Sequence, residues 1–125
     1  MNDREKIVKN YIAGYNQFNC DKMLTDLDEN VAFENIQQGE ITMSLIGLKA
    51  LRQQAEQAKN FFTTRTQTIK SFKHIGDETE IEIDYYAILA MDFPNGLKKG
   101  DELKLKGKSI FRFLNNKIIK LTDIS

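Results

Sequence analysis

Residues 80–93, EIEIDYYAILAMDF, decide the fold of this 125-residue chain. Their even positions are mixed, whereas their odd positions carry only apolar side chains: Ile81, Ile83, Tyr85, Ala87, Leu89, Met91 and Phe93. Because successive side chains of a strand point to opposite faces, this pattern predicts one long strand with an apolar face. That face needs a cover, and the amphipathic helices earlier in the chain can provide it.

The composition is that of an ordinary globular protein. Hydrophobic residues make up 41% of the chain, and 18 basic residues balance 18 acidic ones. Since nucleic-acid and membrane-surface binders normally carry a basic excess, we expect neither partner. The length suits a single domain, residues 1–125. Cys20 is the only cysteine, which excludes an intrachain disulfide and a thiol-based metal cluster. With no signal peptide and no membrane-length apolar run, we expect a cytoplasmic protein.

Three segments have the apolar spacing of amphipathic helices: residues 2–18, 21–28 and 47–62. Tyr11 and Tyr15 lie one turn apart on the apolar stripe of the first segment. They are either core residues or side chains that point a hydroxyl into a hollow. Gly14 lies on the same stripe, where close approach to another backbone would compensate for its low helix propensity.

Six segments are predicted to be strands: residues 31–35, 41–43, 63–75, 80–93, 102–114 and 117–125. Gly107 falls on the apolar face of the fifth, which suggests a bend or a bulge. In the last, the alternation puts Asp123 on the same face as Ile119 and Leu121. His74, the only histidine, stands at a turn, so we expect a surface position and no conventional metal site.

The order of these elements resembles the nuclear transport factor 2-like superfamily. That group includes SnoaL-like polyketide cyclases, ketosteroid isomerases and limonene-epoxide hydrolases. The resemblance spans the whole chain, and three of its pieces are most specific: NYIAGYNQFNCDKML (residues 10–24), VAFEN (31–35) and KGKSIFRFLNNKIIKLTDIS (106–125). It implies an α+β, cystatin-like fold, a cone-shaped roll in which a curved mixed, mainly antiparallel sheet wraps around N-terminal helices. The fold alone does not imply an activity.

The resemblance also implies roles for single residues. Tyr11 matches the oxyanion-hole tyrosine of ketosteroid isomerases, Asn35 stands at the position of their catalytic base, and Ser109 stands at that of their second acid. An amide cannot abstract a carbon-bound proton, so we do not expect the isomerase reaction in that form. Limonene-epoxide hydrolases need an Asp-Arg-Asp set, and no arginine is predicted to face inward. SnoaL-like cyclases use an aspartate on the concave side, where the alternation places Asp123.

The first functional hypothesis is a pocket for a small apolar or carbonyl-containing molecule, without a cofactor or metal. Asp123 is the candidate acid/base, because desolvation among apolar side chains raises a carboxyl pKa. It could instead make a polar contact to the ligand, or be structural or exposed. Tyr11 and Asn35 would donate hydrogen bonds to a developing oxyanion. The predicted lining is Tyr11, Tyr15, Phe33, Asn35, Ile83, Tyr85, Ser109, Phe111 and Leu121.

The second hypothesis is a non-catalytic association module. The mixed outer face of the sheet would then pack against a second copy or another protein, through Tyr86, Ile88, Ala90 and Ile110. The resemblance implies a homodimer through this face. The two hypotheses are compatible, because a dimer could carry a pocket in each copy.

Overall fold

The computed structural model describes residues 3–125. Its helices and strands follow one another as α1 (Asp3–Asn16), α2 (Cys20–Met23), β1 (Leu27–Gln37), β2 (Glu40–Ile46), α3 (Leu48–Ala58), a 3-10 turn (Lys59–Phe61), β3 (Phe62–Ile75), β4 (Glu78–Leu89), β5 (Glu102–Leu114) and β6 (Lys117–Ile124). Asn2, where the sequence predicts the first helix to begin, lies outside the described residues.

The six strands form one open sheet in the order β2-β1-β6-β5-β4-β3. β1 runs parallel to β6, and the other neighbouring strands are antiparallel. The helices cover the inner face of this sheet, and the core between the two layers includes Val8, Tyr11, Ile12, Ile81, Phe111 and Leu121. The predicted α+β class, with a mixed and mainly antiparallel sheet, is confirmed.

The deciding stretch forms β4, but this strand ends earlier than predicted. Ile81 and Ala87 are fully buried on the inner face. The amide of Leu89 donates to the carbonyl of Asp101, and the carbonyl of Leu89 accepts from Gly100. These bonds close a loop over residues 90–101, so Met91 leaves the apolar face and is 44% exposed.

The second helix is shorter than predicted. It ends at Met23, and β1 begins at Leu27. Leu27 pairs with Ile118 of β6, and the amide of Ile118 donates to the carbonyl of Asp26 over 2.8 Å. Pairing with β6, which is distant in sequence, therefore places in a strand residues whose local apolar spacing predicts a helix.

The two informative glycines both lie at close backbone contacts. A Cβ on Gly14 would stand 2.4 Å from the amide nitrogen of Met23, which confirms the predicted close approach, here between α1 and α2. A Cβ on Gly107 would stand 2.9 Å from the carbonyl oxygen of Ile124. The pairing of β4 with β5 passes through Gly107 without a register shift, so no bulge lies in that ladder.

A bulge occurs in β6 instead. Phe113 pairs with Ile118 while Arg112 pairs with Lys120, which leaves Ile119 as the extra residue. Ile118 is consequently fully buried in the core together with Leu121. Simple alternation would put residues 118 and 121 on opposite faces, and it cannot anticipate the inserted residue that lets both lie in the core.

The helices within residues 3–125 include none that is long and apolar enough to cross a membrane.

Candidate functional site

One row of side chains crosses four strands on the inner face of the sheet. Met43 of β2 pairs with Asn35 of β1, and Asn35 pairs with Asp123 of β6. Asp123 in turn pairs with Ser109 of β5. Because paired residues of adjacent strands project to the same face, these four side chains stand next to one another beneath the helices.

Asp123 and Ser109 form the polar centre of this row. The Ser109 hydroxyl donates a hydrogen bond of 2.7 Å to Oδ1 of Asp123, and Ser109 is 2% exposed. Burial raises the pKa of Asp123 to about 6, although the Ser109 hydrogen bond acts in the opposite direction. A carboxyl group with a pKa in this range can both accept and donate a proton near neutrality.

Two adjoining cavities meet at Asp123. The larger has a volume of about 420 Å³ and the smaller about 150 Å³. Five residues line both: Tyr15, Asn35, Gln54, Ala58 and Asp123. Ile83, Tyr85, Gln67, Phe61 and Phe62 are among the further walls of the larger cavity, and Tyr11, Phe33, Met23, Leu51 and Arg65 are among those of the smaller. The hollow thus combines apolar walls with a few polar groups, as small-molecule sites do.

Tyr15 and Tyr85 join α1 to β4 across the larger cavity. Their hydroxyl oxygens are 2.8 Å apart, and either can be the donor. Burial raises the pKa of both phenols, so both stay protonated near neutrality. The hydroxyl that accepts in this pair keeps its own hydrogen, which can be donated to a ligand.

Tyr11 offers a second donor, in the smaller cavity. Its side chain is buried and its ring packs edge-on against Phe111, with a centroid distance of 5.5 Å. Burial is the main cause that holds its pKa well above the usual value, and the charge of Asp123 adds to it. The Tyr11 hydroxyl makes no hydrogen bond to another residue in the described part of the chain.

Arg65 faces inward, and the expectation of no inward arginine is wrong. It is 3% exposed, lies on β3 and lines the smaller cavity. Its Nε donates to the carbonyl of Tyr15 over 3.0 Å, and its guanidinium lies 3.8 Å from the centroid of the Tyr15 ring. The sequence held a signal for it, because stepping back by two from the apolar Ile69 reaches Gln67 and then Arg65.

Gln67 adds an acceptor to the larger cavity. Its main-chain amide and carbonyl are both held by the side chain of Asn16, over 2.8 and 3.0 Å. Its Oε1 is buried and has no hydrogen-bond partner among residues 3–125. A buried acceptor of this kind favours a ligand or water that donates to it.

The other predicted lining residues divide into wall and core. Asn35 lines both cavities, and its Nδ2 donates to Oγ1 of Thr42 over 2.8 Å. Phe33 lines the smaller cavity and Ile83 the larger. Phe111 and Leu121 are fully buried in the core and line neither of these two cavities. They support the floor of the site without reaching a ligand.

His74 stands apart from both cavities. One ring nitrogen lies 2.8 Å from Oε2 of Glu5, and the other lies 2.9 Å from Oγ1 of Thr79. These contacts tie α1 to the adjoining ends of β3 and β4. The structure therefore gives this histidine a local structural contact outside the candidate site.

No protein-family model and no curated protein matches the sequence, so the comparisons rest on solved structures. A candidate polyketide cyclase from Xanthomonas campestris is 19% identical, with 98% of this chain and 90% of that chain covered and a TM-score of 0.77. A nuclear transport factor 2-like protein of unknown function from Burkholderia pseudomallei is 13% identical, with the same shares covered and a TM-score of 0.77.

A third similar structure holds a small molecule. It is a protein with a ketosteroid isomerase-like fold from Catenulispora acidiphila, in complex with trimethylamine. The two sequences are 15% identical, 94% of this chain and 83% of that chain are covered, and the TM-score is 0.78. Identities this low establish a common architecture and leave activity open. The chain therefore has the nuclear transport factor 2-like fold that its sequence resembles.

Proposed function

We propose that this protein binds a small apolar carbonyl compound and converts it by cofactor-free acid/base chemistry, with Asp123 as the acid/base. One observation carries the proposal: Asp123, bonded to Ser109, stands at the junction of two cavities with a pKa raised to about 6. A carboxyl group buried at a cavity wall is poised to exchange protons with a bound molecule.

The geometry supports different roles for the two carboxylate oxygens of Asp123. Ser109 occupies Oδ1, which leaves Oδ2 of Asp123 to take a proton from the carbon next to a ligand carbonyl. The electron pair of the broken C–H bond moves to the carbonyl oxygen, where negative charge develops. The protonated Asp123 then returns the proton to the product. Preorganised hydrogen-bond donors aimed at the developing charge lower the barrier to this step.

The tyrosines are suited to be those donors. Burial keeps the pKa of Tyr11, Tyr15 and Tyr85 above the usual value, so they do not act as bases near neutrality. Asp123 is shifted into the neutral range by the same physical cause. Groups whose pKa values are driven apart in this way can take the separate roles of acid/base and donor.

The similar structures support a small-molecule site. The Xanthomonas campestris protein is described as a candidate polyketide cyclase, and the Catenulispora acidiphila protein was crystallised with trimethylamine. By the resemblance, Asn35 stands at the position where ketosteroid isomerases carry their base. We infer that the base has moved to the neighbouring strand, because Asp123 is the direct partner of Asn35 in the sheet.

Hydrogen exchange on a simple ketone tests the proposal. The protein is incubated in D2O with 2-tetralone, and deuterium entry next to the carbonyl is followed by proton NMR. We expect catalysed exchange that falls roughly 100-fold or more in Asp123→Asn, the usual contribution of a general base. Asp3→Asn, an exposed aspartate on α1, is the matched control and should exchange at the wild-type rate. Equal rates for wild type and Asp123→Asn would overturn the proposal.

The association module is the weaker candidate. Charged pairs on the outer face of the sheet are satisfied within the chain, as between Lys106 and Asp84 and between Arg112 and Glu78, each at 2.9 Å. Such a surface does not need a partner, although it leaves room for a homodimer through Ile88 and Ile110. Light scattering at increasing concentration tests that dimer, and Ile88→Lys should dissociate it. Ile75→Lys, at an exposed position, is the control.

A further inference from the structure

Arg65 is a buried cation that has no acidic partner among residues 3–125. Only 3% of the residue is exposed. Within residues 3–125, none of the ion pairs involves Arg65, so no carboxylate lies within 4.0 Å of its guanidinium. An arginine keeps its charge in proteins, and a buried charge is costly unless it is paired and hydrogen-bonded.

The contacts that Arg65 makes do not neutralise its positive charge. Nε donates to the Tyr15 carbonyl, and the guanidinium lies 3.8 Å from the centroid of the Tyr15 ring and 4.5 Å from that of Phe18. Ring faces attract a cation but supply no net negative charge. A guanidinium has donors on three nitrogens, and apart from the phenol of Tyr15, whose pKa Arg65 lowers, the terminal Nη1 and Nη2 have no hydrogen-bond acceptor among residues 3–125.

Arg65 lines the same small cavity as Asp123. Tyr11 lines it as well; its pKa is raised mainly by burial and further by the charge of Asp123, and the charge of Arg65 lowers it. Asp123 and Arg65 do not pair with each other. The cavity therefore offers a ligand an acid/base group at one wall and an unneutralised cation at another.

We propose that Arg65 binds an ionised oxygen of the ligand, a carboxylate or an ionised enol, through its terminal nitrogens. This inference rests on the proposed function and narrows its substrate class to acidic carbonyl compounds. A planar guanidinium matches two oxygens of an anion, and such charge-assisted bonds are about twice as strong as neutral ones. The ligand's charge completes the electrostatics of Arg65, while its carbonyl side reaches Asp123 and Tyr11.

A structural role alone would give a different result. Arg65 holds the carbonyl of Tyr15 near the end of α1 and stacks on two rings, so its replacement will lower stability in either case. Stability therefore cannot distinguish the two roles. The preference of the protein for an anionic over a neutral ligand can distinguish them, because packing and capping contacts do not depend on the charge of the ligand.

Two matched pairs of probes measure that preference by calorimetry at neutral pH. In the first pair, 2-hydroxy-1,4-naphthoquinone is ionised and 2-methoxy-1,4-naphthoquinone is neutral. The second pair, 2-naphthoate and 2-naphthamide, tells a carboxylate site from an enolate site. In at least one pair we expect the anion to bind about tenfold more tightly or better, as one charge-assisted hydrogen bond would give.

Variants assign the preference to Arg65. Arg65→Met should abolish it, and Arg65→Lys, which keeps the charge without the planar fork, should retain part of it. Arg52→Met, the same change at a solvent-facing arginine paired with Asp21, should leave it intact. Should Arg65→Met fail to fold, Arg65→Lys and the wild-type comparison decide the matter.

Three results would overturn the inference. Equal or tighter binding of the neutral member in both pairs would refute the anion site and leave the proposed carbonyl pocket standing. An anion preference that survives in Arg65→Met would place the anion elsewhere. Failure of all four probes to bind would remove the pocket itself and the proposed function with it.

Discussion

The hydroxyl of Ser109 donates a hydrogen bond of 2.7 Å to Oδ1 of Asp123, and this bond links β5 to β6 at the junction of the two cavities. It fixes which carboxylate oxygen is turned to the sheet and which is open to the hollow. It also favours the ionised form of Asp123, against the burial that favours the neutral form. The pKa of about 6 is the balance of these two effects.

Ser109→Ala should raise the pKa of Asp123 further. Removing the donor leaves burial unopposed, and a hydrogen bond to a charged group is worth about 1.5–3 kcal/mol, which corresponds to a shift of about one unit or more. The pKa is read from the side-chain carboxyl carbon of Asp123 by NMR titration. Ser71→Ala, at an exposed serine on β3, should not change it. An unchanged midpoint in Ser109→Ala would show that this bond does not control the titration.

Asp123→Asn should become more stable relative to wild type as the pH rises. Folding raises the pKa of Asp123 from 3.8 to about 6, so the folded state holds this proton more tightly than the unfolded state does. Below the lower value both states are protonated and no penalty arises. Between the two values the penalty grows as the folded carboxyl must ionise, and above the upper value it is complete, at most about 3 kcal/mol.

Urea unfolding at a series of pH values tests this sign. The difference in unfolding free energy between Asp123→Asn and wild type should grow in favour of the variant as pH increases from about 4 to about 7. A difference that stays constant over this range, or that grows in favour of wild type, would contradict a raised pKa.

The Tyr15–Tyr85 pair should behave as a coupled unit. Tyr15→Phe or Tyr85→Phe alone leaves the remaining hydroxyl without its partner at 2.8 Å. Each single variant should therefore lower the unfolding free energy by about 1 kcal/mol. The double variant should lose less than the sum of the two, by about 0.5 kcal/mol or more, because no orphan hydroxyl remains. A double-mutant cycle in urea measures this coupling. Strict additivity would mean that the two hydroxyls do not interact.

Gly14→Ala should destabilise the fold in spite of alanine's higher helix propensity. The added Cβ would stand 2.4 Å from the amide nitrogen of Met23, so α1 and α2 must move apart. Overpacking of this kind lowers the unfolding free energy by about 1–3 kcal/mol. Lys6→Ala, on the exposed side of α1, should have little effect or be slightly stabilising. A Gly14→Ala protein as stable as wild type would show that the two helices can separate freely.

Much of the architecture could be predicted from periodicity. Clean alternation in residues 102–114 predicts β5 with its observed bounds and puts Ser109 on the inner face. Asp123 could be placed inward for the same reason, since the bulge of β6 lies before it. The sequence predicts α2 to be too long because Leu27 fits helical spacing locally, whereas its strand partner Ile118 lies far away along the chain.

For Arg65, alternation from Ile69 indicates the inner face but does not show that the side chain is buried. Its segment, TTRTQT, has no apolar alternation of its own, and a charged residue is normally assigned to solvent. The rings of Tyr15 and Phe18 that cover it come from the end of α1 and the turn after it, about 50 residues earlier along the chain. Only the docking of that helix on β3 makes the position an interior one. The sequence around Arg65 therefore does not predict its burial, because the residues that bury it are distant in sequence.

The ionisation of Asp123 is the most direct test of the site. The protein is labelled with carbon-13 in its aspartate side chains, and the Asp123 signal, assigned through its loss in Asp123→Asn, is titrated by NMR. We expect a midpoint at a pH of about 6. A midpoint near the ordinary aspartate value of about 4 would mean that the carboxylate is well hydrated, and the acid/base role proposed for Asp123 would then be wrong.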